Sequence, residues 1–411
     1  MAKFLLILFA SSLSALSVQC HLRHDKAFNV LDFGATGDGS TDDTRAFEDA
    51  WESTCSVRDS SPTMHIPRGY IFLLQPVVFY GPCKSNLVKI VIDGTLVAPW
   101  DPSKWKCRGK KCHQWIGFSQ LDGLYISGSG TINGQGAEWW RSRCKHEEKA
   151  SLSTNLSCPT KPTGLVISNS NNLHINGLTF LDSPQMHIAI ERSRWIHASA
   201  LTIMAPRDSP NTDGIHTQHS QNVFINHAHI QTGDDCISIG DGSAHVHISR
   251  IKCGPGHGIS IGSLGENGKY ETVEHVHVSH VEFRNTSNGA RIKTWQGGKG
   301  FARNIVFKQI KCYGVGQPII IDQYYCDHER CRNQTSAVEV SNVRYSGIEG
   351  TSKEETAVRF ACSESVPCKD ILLSDVNLGS SQGQTETTSL CLNVQGRQRG
   401  DISPSVPCLS H

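Results

Sequence analysis

Leu173-His-Ile175, Ile196-His-Ala198, Val223-Phe-Ile225 and Val246-His-Ile248 are one short pattern written four times, apolar at every second place. It continues as Val276-His-Val278, Ile305-Val-Phe307, Val343-Arg-Tyr345 and Ile371-Leu-Leu373, with first residues 23, 27, 23, 30, 29, 38 and 28 apart. Such alternation marks a half-buried strand. Second apolar positions follow in most units, as in Leu178/Phe180, Ile230, Val281/Phe283 and Val376/Leu378. Similar runs stand upstream at Ile90-Val-Ile92 and Leu124-Tyr-Ile126. A coil made of short strands and Gly- and Asn-rich turns cannot bury its apolar face alone, but stacked copies bury a continuous core. Helical patterns are nearly absent between the strands, which argues against βαβ units and leucine-rich repeats. The expectation is an all-β chain folded as a single-stranded parallel β-helix, a solenoid. The competing arrangement, an antiparallel sandwich, would show hairpin turns at roughly 8–12-residue intervals, whereas these units match at coil spacing.

An open-ended solenoid needs lids. Asp42-Asp-Thr-Arg-Ala-Phe47-Glu-Asp-Ala50-Trp51 reads as an N-terminal capping helix. Asp42 and Asp43 cap its start, and Ala46, Phe47, Ala50 and Trp51 form one apolar face. Phe28 to about Pro67 is read as this cap region. The polar chain after about Ser380, tied by Cys391 and Cys408, is read as the other end. No linker interrupts the pattern, so residues 21–411 are expected to form one catalytic domain.

The chain has 411 residues, and 39 Lys+Arg against 38 Asp+Glu leave a net charge of +1. That balance excludes nucleic-acid affinity driven by bulk charge, so any basic patch is local. Arg108-Gly-Lys-Lys111 is one such loop, equally suited to an anionic polymer or to solvent. The 16 cysteines point to an oxidising compartment. Lys3, the apolar run Phe4 to Ala10 and small residues up to Cys20 read as a secretory signal over residues 1–20. No later run approaches the roughly 18 apolar residues a membrane span needs. A secreted, extracellular monomer without a membrane partner is expected, with glycosylation sequons at Asn155, Asn285 and Asn333.

The chemistry lies between Ser209 and Gly298. Asp213, Asp235 and His257 are each 22 residues apart, one coil by the repeat, and therefore stack on one face. Asp234 and Asp235 would face opposite ways on a regular strand, so a twisted or bulged backbone must bring both into play. Glycines at 214, 233, 256 and 258 suit that irregularity. Three carboxyls, a histidine and the later Arg291-Ile-Lys293 form a toolkit for hydrolysing an acidic sugar polymer. One carboxylic acid protonates the glycosidic oxygen and another carboxylate activates water. Crowding raises the proton affinity of at least one.

Cys236 and Cys253, 17 residues apart, are placed by adjacent strands within bridging distance, so a disulfide bracing the site is expected. Local spacing pairs Cys326 with Cys331, Cys362 with Cys368, Cys391 with Cys408 and, less directly, Cys55 with Cys83; Cys312 is the candidate odd thiol.

Asn211-Thr-Asp213, Gly233-Asp-Asp235, Gly256-His-Gly258 and Arg291-Ile-Lys293 resemble the four signature motifs of the polygalacturonases. The longer runs at 253–262 and 291–298 resemble the plant branch, and the likeness covers nearly the whole chain after the signal segment. The resemblance implies a right-handed β-helix and single-displacement, inverting hydrolysis of α-1,4-galacturonosyl linkages in pectin and the plant cell wall. It makes Asp234 the general acid, with Asp213 and Asp235 positioning and activating water. His257 supports the protonation of that cluster, and Arg291 and Lys293 bind the galacturonate carboxylate. It places Asn211 in the site without assigning it chemistry, and a tyrosine at the sugar site as Tyr324, with Tyr325 beside it leaving the choice open. No cofactor and no metal are implied; the partner is the acidic polysaccharide itself.

The pairs His227/His229, His245/His247 and His275/His277 mimic metal-ligand spacing, but each sits in the repeating strand, where stacked surface histidines are the simpler account. Trp100, Trp139 and Trp140 are candidates for sugar stacking or for core and rim packing alike. The competing functions are a pectin or pectate lyase on the same fold and a catalytically silent wall-binding protein. The intact acid with its Arg-Ile-Lys partner argues against the first, and the completeness of the motifs against the second.

Overall fold

The computed structural model describes residues 26–58, 60–107, 112–141, 160–327, 331–383 and 386–410. The signal segment, the Asn155 sequon and the basic loop 108–111 lie outside the described residues.

The repeated pattern forms a single stack. Leu173 pairs with Ile196, Ile196 with Val223, Val223 with Val246, and so on through Val276, Ile305, Val343 and Ile371, every pairing parallel. Upstream, Leu124 stands below Leu173, and Val88 rather than Ile90 stands below Leu124. The second apolar positions make their own row, in which Phe180, Ile203, Ile230, Cys253, Phe283 and Cys312 follow one another. A third row, Ile188, Ile215, Ile237, Ile259, Ala290, Ile319 and Val358, belongs to an all-parallel 11-stranded sheet. Three rows per turn, climbing coil by coil, are a right-handed single-stranded parallel β-helix. The 38-residue interval between Ile305 and Val343 does not break register, because its extra length leaves the stack between Tyr325 and Glu339.

The rows point inward and fill one continuous hydrophobic core. Its largest wholly buried members include Phe180, Phe283, Phe307, Tyr345 and Phe360, and the Phe307 and Tyr345 rings stack 5.4 Å apart. Corners between rows are turned by left-handed residues such as Asn222, Asn304 and Asn342, a conformation Asn tolerates better than most. His227, His245 and His275 occupy such corners as well, with φ of 52°, 55° and 55°. His245 and His247, like His275 and His277, therefore do not share a strand face as their spacing implies. His245 stacks on His275 at 4.7 Å, while His247 and His277 join an outer ladder that runs Tyr125, His174, His197, Phe224, His247, His277.

The capping helix spans Thr44–Cys55 and buries Ala46, Phe47, Ala50 and Trp51 over the end of the core. Its cap differs from expectation. Asp42 accepts from the Thr44 amide and hydroxyl, whereas Asp43 turns back to the amides of Thr36 and Gly37. The cap region is also not purely a lid, since Ala27–Asn29 pairs with Thr63–Ile66 as the first turn of the stack. At the far end, Thr388–Leu392 and Val394–Ser403 add another coil where a polar tail was expected. Only Val394 and Gln398 of these strands are buried, so the parallel backbone pairing with the preceding coil, more than inward side chains, extends the ladder.

The pairings Cys55–Cys83, Cys236–Cys253, Cys326–Cys331, Cys362–Cys368 and Cys391–Cys408 are all present, and Cys107–Cys112 adds one not anticipated. Cys312 is free and buried, its thiol pushed up to about 12 by burial. It is expected to resist thiol reagents in the native protein and to react on unfolding. Alkylation of native and denatured protein followed by peptide mapping checks this, and rapid native labelling of Cys312 would contradict the packing.

Candidate active site

Strands Ile215–Gln218, Ile237–Ile239, Ile259–Leu264 and Asn288–Trp295 are consecutive in the 11-stranded sheet. Asp213, Asp235 and His257 each stand two residues before the first three, at the same place on successive coils. Backbone bonds tie the tiers together: Gly214 donates to the Asp235 carbonyl at 2.9 Å and His257 to the Asp234 carbonyl at 2.8 Å. The turns are too tight for side chains. A Cβ on Gly233 would stand 2.0 Å from the Ser209 carbonyl oxygen. Gly258, at φ +92°, would put one 2.4 Å from the carbonyl oxygens of Asn288 and Gly289. The Cys236–Cys253 bridge, with Cα atoms 5.9 Å apart, joins the strand after Asp235 to the one leading to His257.

The structure brings both members of the Asp234–Asp235 pair into the site by turning them to different partners. Asp235 is buried at 1% exposure. Its Oδ1 accepts from Ser260 Oγ at 2.8 Å and from Arg291 at 2.5 Å, and its Oδ2 from Lys293 Nζ at 3.0 Å. Asp234 is half-buried; its Oδ1 lies 3.0 Å from His257 Nδ1 and accepts the Asp235 amide at 2.8 Å. Asn211 Nδ2 reaches Asp234 Oδ2 at 3.4 Å. Asp213 accepts from Ser238 Oγ at 2.7 Å, and Ser238 in turn meets His216 Nδ1 at 2.8 Å.

These surroundings drive the carboxyls apart. Burial, reinforced by the charges of Asp234 and Asp235, raises Asp213 to about 7. Burial acts in the same sense on Asp235, but Arg291 and Lys293, aided by Ser260, overcome it and hold that carboxyl well below the usual carboxylate range. His257 is raised above its ordinary value, chiefly by its hydrogen bond to Asp234. The result is one carboxyl that keeps its proton and one that gives it up, a few ångströms from a protonatable imidazole. Ligand atoms of Asp234, Asp235 and His257 lie within 4.8 Å of one another. Both oxygens of Asp235 already face fixed cations, which oppose a metal ion there.

The two tyrosines separate cleanly. The Tyr324 hydroxyl donates to the Cys362 carbonyl at 3.2 Å, away from the carboxyls. Tyr325 pairs in register with Trp295, and its ring centre lies 5.3 Å from Lys293 Nζ, so Tyr325 is the tyrosine that faces the cluster. Strand alternation decides this: adjacent residues leave a strand on opposite sides. Trp139 is core, packed edge-on against Trp105; Trp140 donates to the Ser183 carbonyl, and Trp100 is exposed. Sequence reasoning missed Ser238, Ser260 and His216, although the repeated Ile-Ser-Ile-Gly at 237–240 and 259–262 was a visible signal.

The profile of glycosyl hydrolases family 28 matches residues 55–403. A probable polygalacturonase of Arabidopsis thaliana is 48% identical over 389 residues, covering 93% of this chain and 80% of its own. A polygalacturonase of Persea americana is 45% identical over 381 residues, covering 92% and 79%. Among solved structures, an exopolygalacturonase of Thermotoga maritima shares the fold with a TM-score of 0.75 at 22% identity, over 92% of this chain and 91% of that one.

The environment of Asp213 predicts a pH-dependent stability. A carboxyl whose folded value lies above its ordinary 3.8 stabilises the fold fully below that value, and loses the effect as pH rises through about 7. Thermal unfolding from pH 4 to 8 should show a steeper fall in Tm for the wild type than for Asp213→Asn. Parallel curves would contradict the assigned environment.

Proposed function

This chain belongs to glycosyl hydrolases family 28, and on that footing we propose that Asp213, Asp234, Asp235 and His257 carry out an inverting, single-displacement cleavage. The protein is a polygalacturonase, a glycoside hydrolase acting on polygalacturonate. The observation that carries the catalytic reading is the contrast between neighbours. Asp235 is clamped by Arg291 and Lys293, while Asp234 shares a 3.0 Å contact with an imidazole.

In this mechanism Asp234 gives its proton to the glycosidic oxygen as the bond from the anomeric carbon to the leaving sugar breaks. Water attacks that carbon from the opposite face and passes a proton to ionised Asp235. Asp213, keeping its own proton, orients the same water. His257 then reprotonates Asp234, and solvent carries off the proton gained by Asp235 and returns one to His257, restoring the starting state. The new hydroxyl carries inverted configuration.

Arg291 and Lys293 do a double duty in this reading. Each spends part of its donor set on Asp235, and an Arg has five N–H donors and a Lys three. The remainder are assigned to the galacturonate carboxylate, with Tyr325 beside them and Asn211 at the rim. Residues 21–411 are proposed as the single catalytic domain of a secreted wall enzyme. Six disulfides join described residues, which suits an oxidising compartment. Asn285 and Asn333 are exposed, as glycosylation requires.

Asp234→Asn is expected to fold normally and to lose on the order of 10²–10⁴-fold in kcat on polygalacturonate. NMR of the first product should show the inverted anomer. Near-full turnover by the variant, or a retained anomer, would overturn the assignment. The kcat/KM profile should be bell-shaped. Its acid limb marks protonation of Asp235; its basic limb marks proton loss from Asp213, raised to about 7, and from His257, raised above its ordinary value. A rate that climbs steadily into alkaline pH, accompanied by an unsaturated product and lost on chelation, would replace hydrolysis by elimination.

A further inference from the structure

Two successive coils carry the same tetrapeptide, Ile237-Ser-Ile-Gly240 and Ile259-Ser-Ile-Gly262, and Ser238 pairs in register with Ser260. Each serine hydroxyl donates to the carboxylate 25 residues before it, Ser238 to Asp213 at 2.7 Å and Ser260 to Asp235 at 2.8 Å. Each is also met from behind by a basic side chain of a neighbouring strand. His216 stands beside Ser238 in register, with Nδ1 2.8 Å from its oxygen. Arg291 stands beside Ser260, with Nε donating to its oxygen at 2.7 Å. Both serines are buried, at 3% and 0% exposure, so neither exchanges these partners for bulk water.

We propose that Ser238 and Ser260 are positioning residues through which His216 and Arg291 hold Asp213 and Asp235 for their separate tasks. The proposal rests on the reading of Asp213 and Asp235 as the two carboxyls on the water side of the site. A serine hydroxyl carries one proton. Once that proton is given to the carboxylate, the oxygen must accept from whatever stands behind it. For Ser260 that group is a guanidinium. For Ser238 it is an imidazole N–H, which assigns the proton of His216 to Nδ1. Burial lowers His216 to about 4, so this imidazole is neutral throughout the working range. Identical serines thus connect one carboxyl to a neutral group and the other to a cation. The two relays also run in opposite senses along the solenoid. His216 lies on the strand that follows Asp213, whereas Arg291 lies one coil beyond His257. A single coil motif, repeated once, backs the two carboxyls differently, on top of the burial and neighbouring charges that raise Asp213 and the cations that lower Asp235.

The test reads the two limbs of the kcat/KM profile. A hydrogen bond donated to a carboxylate favours its ionised form, so removing it raises that carboxyl's proton affinity. Ser260→Ala is expected to move the acid limb upward by about one pH unit and to leave the basic limb in place. Ser238→Ala is expected to move the basic limb upward or, once His257 limits it, to make that limb shallower, with the acid limb unchanged. Ser→Thr at either place keeps the hydroxyl and should restore the wild-type limb. Circular dichroism and thermal unfolding establish that the variants fold; should an alanine variant unfold, Ser→Cys, a weak donor of similar volume, takes its place. Both limbs keeping their wild-type position and slope, or both serines moving the same limb, would overturn the proposal. Asp213→Asn and Asp235→Asn separate the two levels. If these retain turnover, the reading of the carboxyls fails. If they are inactive while the serine variants leave the profile untouched, only the serine proposal fails.

Discussion

The hydrogen-bonded register between coils is the constraint on which everything else here depends. Parallel strands about 4.7–4.9 Å apart convert a sequence interval of one coil into a fixed vertical step, so residues a coil apart become neighbours. Asp213, Asp235 and His257 exploit this, as do the inward Leu, Ile and Val rows beneath them. The same interval that fills the core therefore assembles the site. A slip of one residue would turn every core side chain outward and remove the carboxyls from their partners.

Burying a carboxylate as deeply as Asp235 is costly unless cations and hydrogen bonds accompany it. Arg291, Lys293 and Ser260 supply them from two further coils. Asp213 feels Lys293 only weakly, and burial with the charges of Asp234 and Asp235 makes it keep its proton instead. The ability of one small cluster to hold a protonated and an ionised carboxyl side by side follows from this unequal distribution. The glycines at 233 and 258 permit it, because any side chain there would collide with a neighbouring carbonyl. The Cys236–Cys253 bridge then couples the coil bearing the carboxyls to the coil bearing the imidazole.

Much of the histidine-rich surface has a humbler explanation. His174, His197, His247 and His277 stack with Tyr125 and Phe224 along the outer face, each ring one step above the last. Their spacing imitates metal ligation only if the strand is assumed regular. Left-handed corners at His245 and His275 break that regularity, which no count of residues along the chain reveals.

The alternation of Leu173, Ile196, Val223 and their successors determined the solenoid, and the 22-residue interval determined which chemical groups share a face. Both are periodicities, and a periodic fold maps sequence distance onto spatial distance. Local cysteine spacing determined several of the bridges for a simpler reason, since residues a few places apart in a turn are already near in space. Only the tertiary structure decided where individual side chains turn. It gave Tyr325 rather than Tyr324 to the cluster, put Trp139 in the core, and bound Arg291 and Lys293 to Asp235. It also revealed Ser238, Ser260 and His216 as the links behind the carboxyls. Those outcomes depend on pleat, bulge and corner, set by packing between coils rather than by any residue's neighbours along the chain.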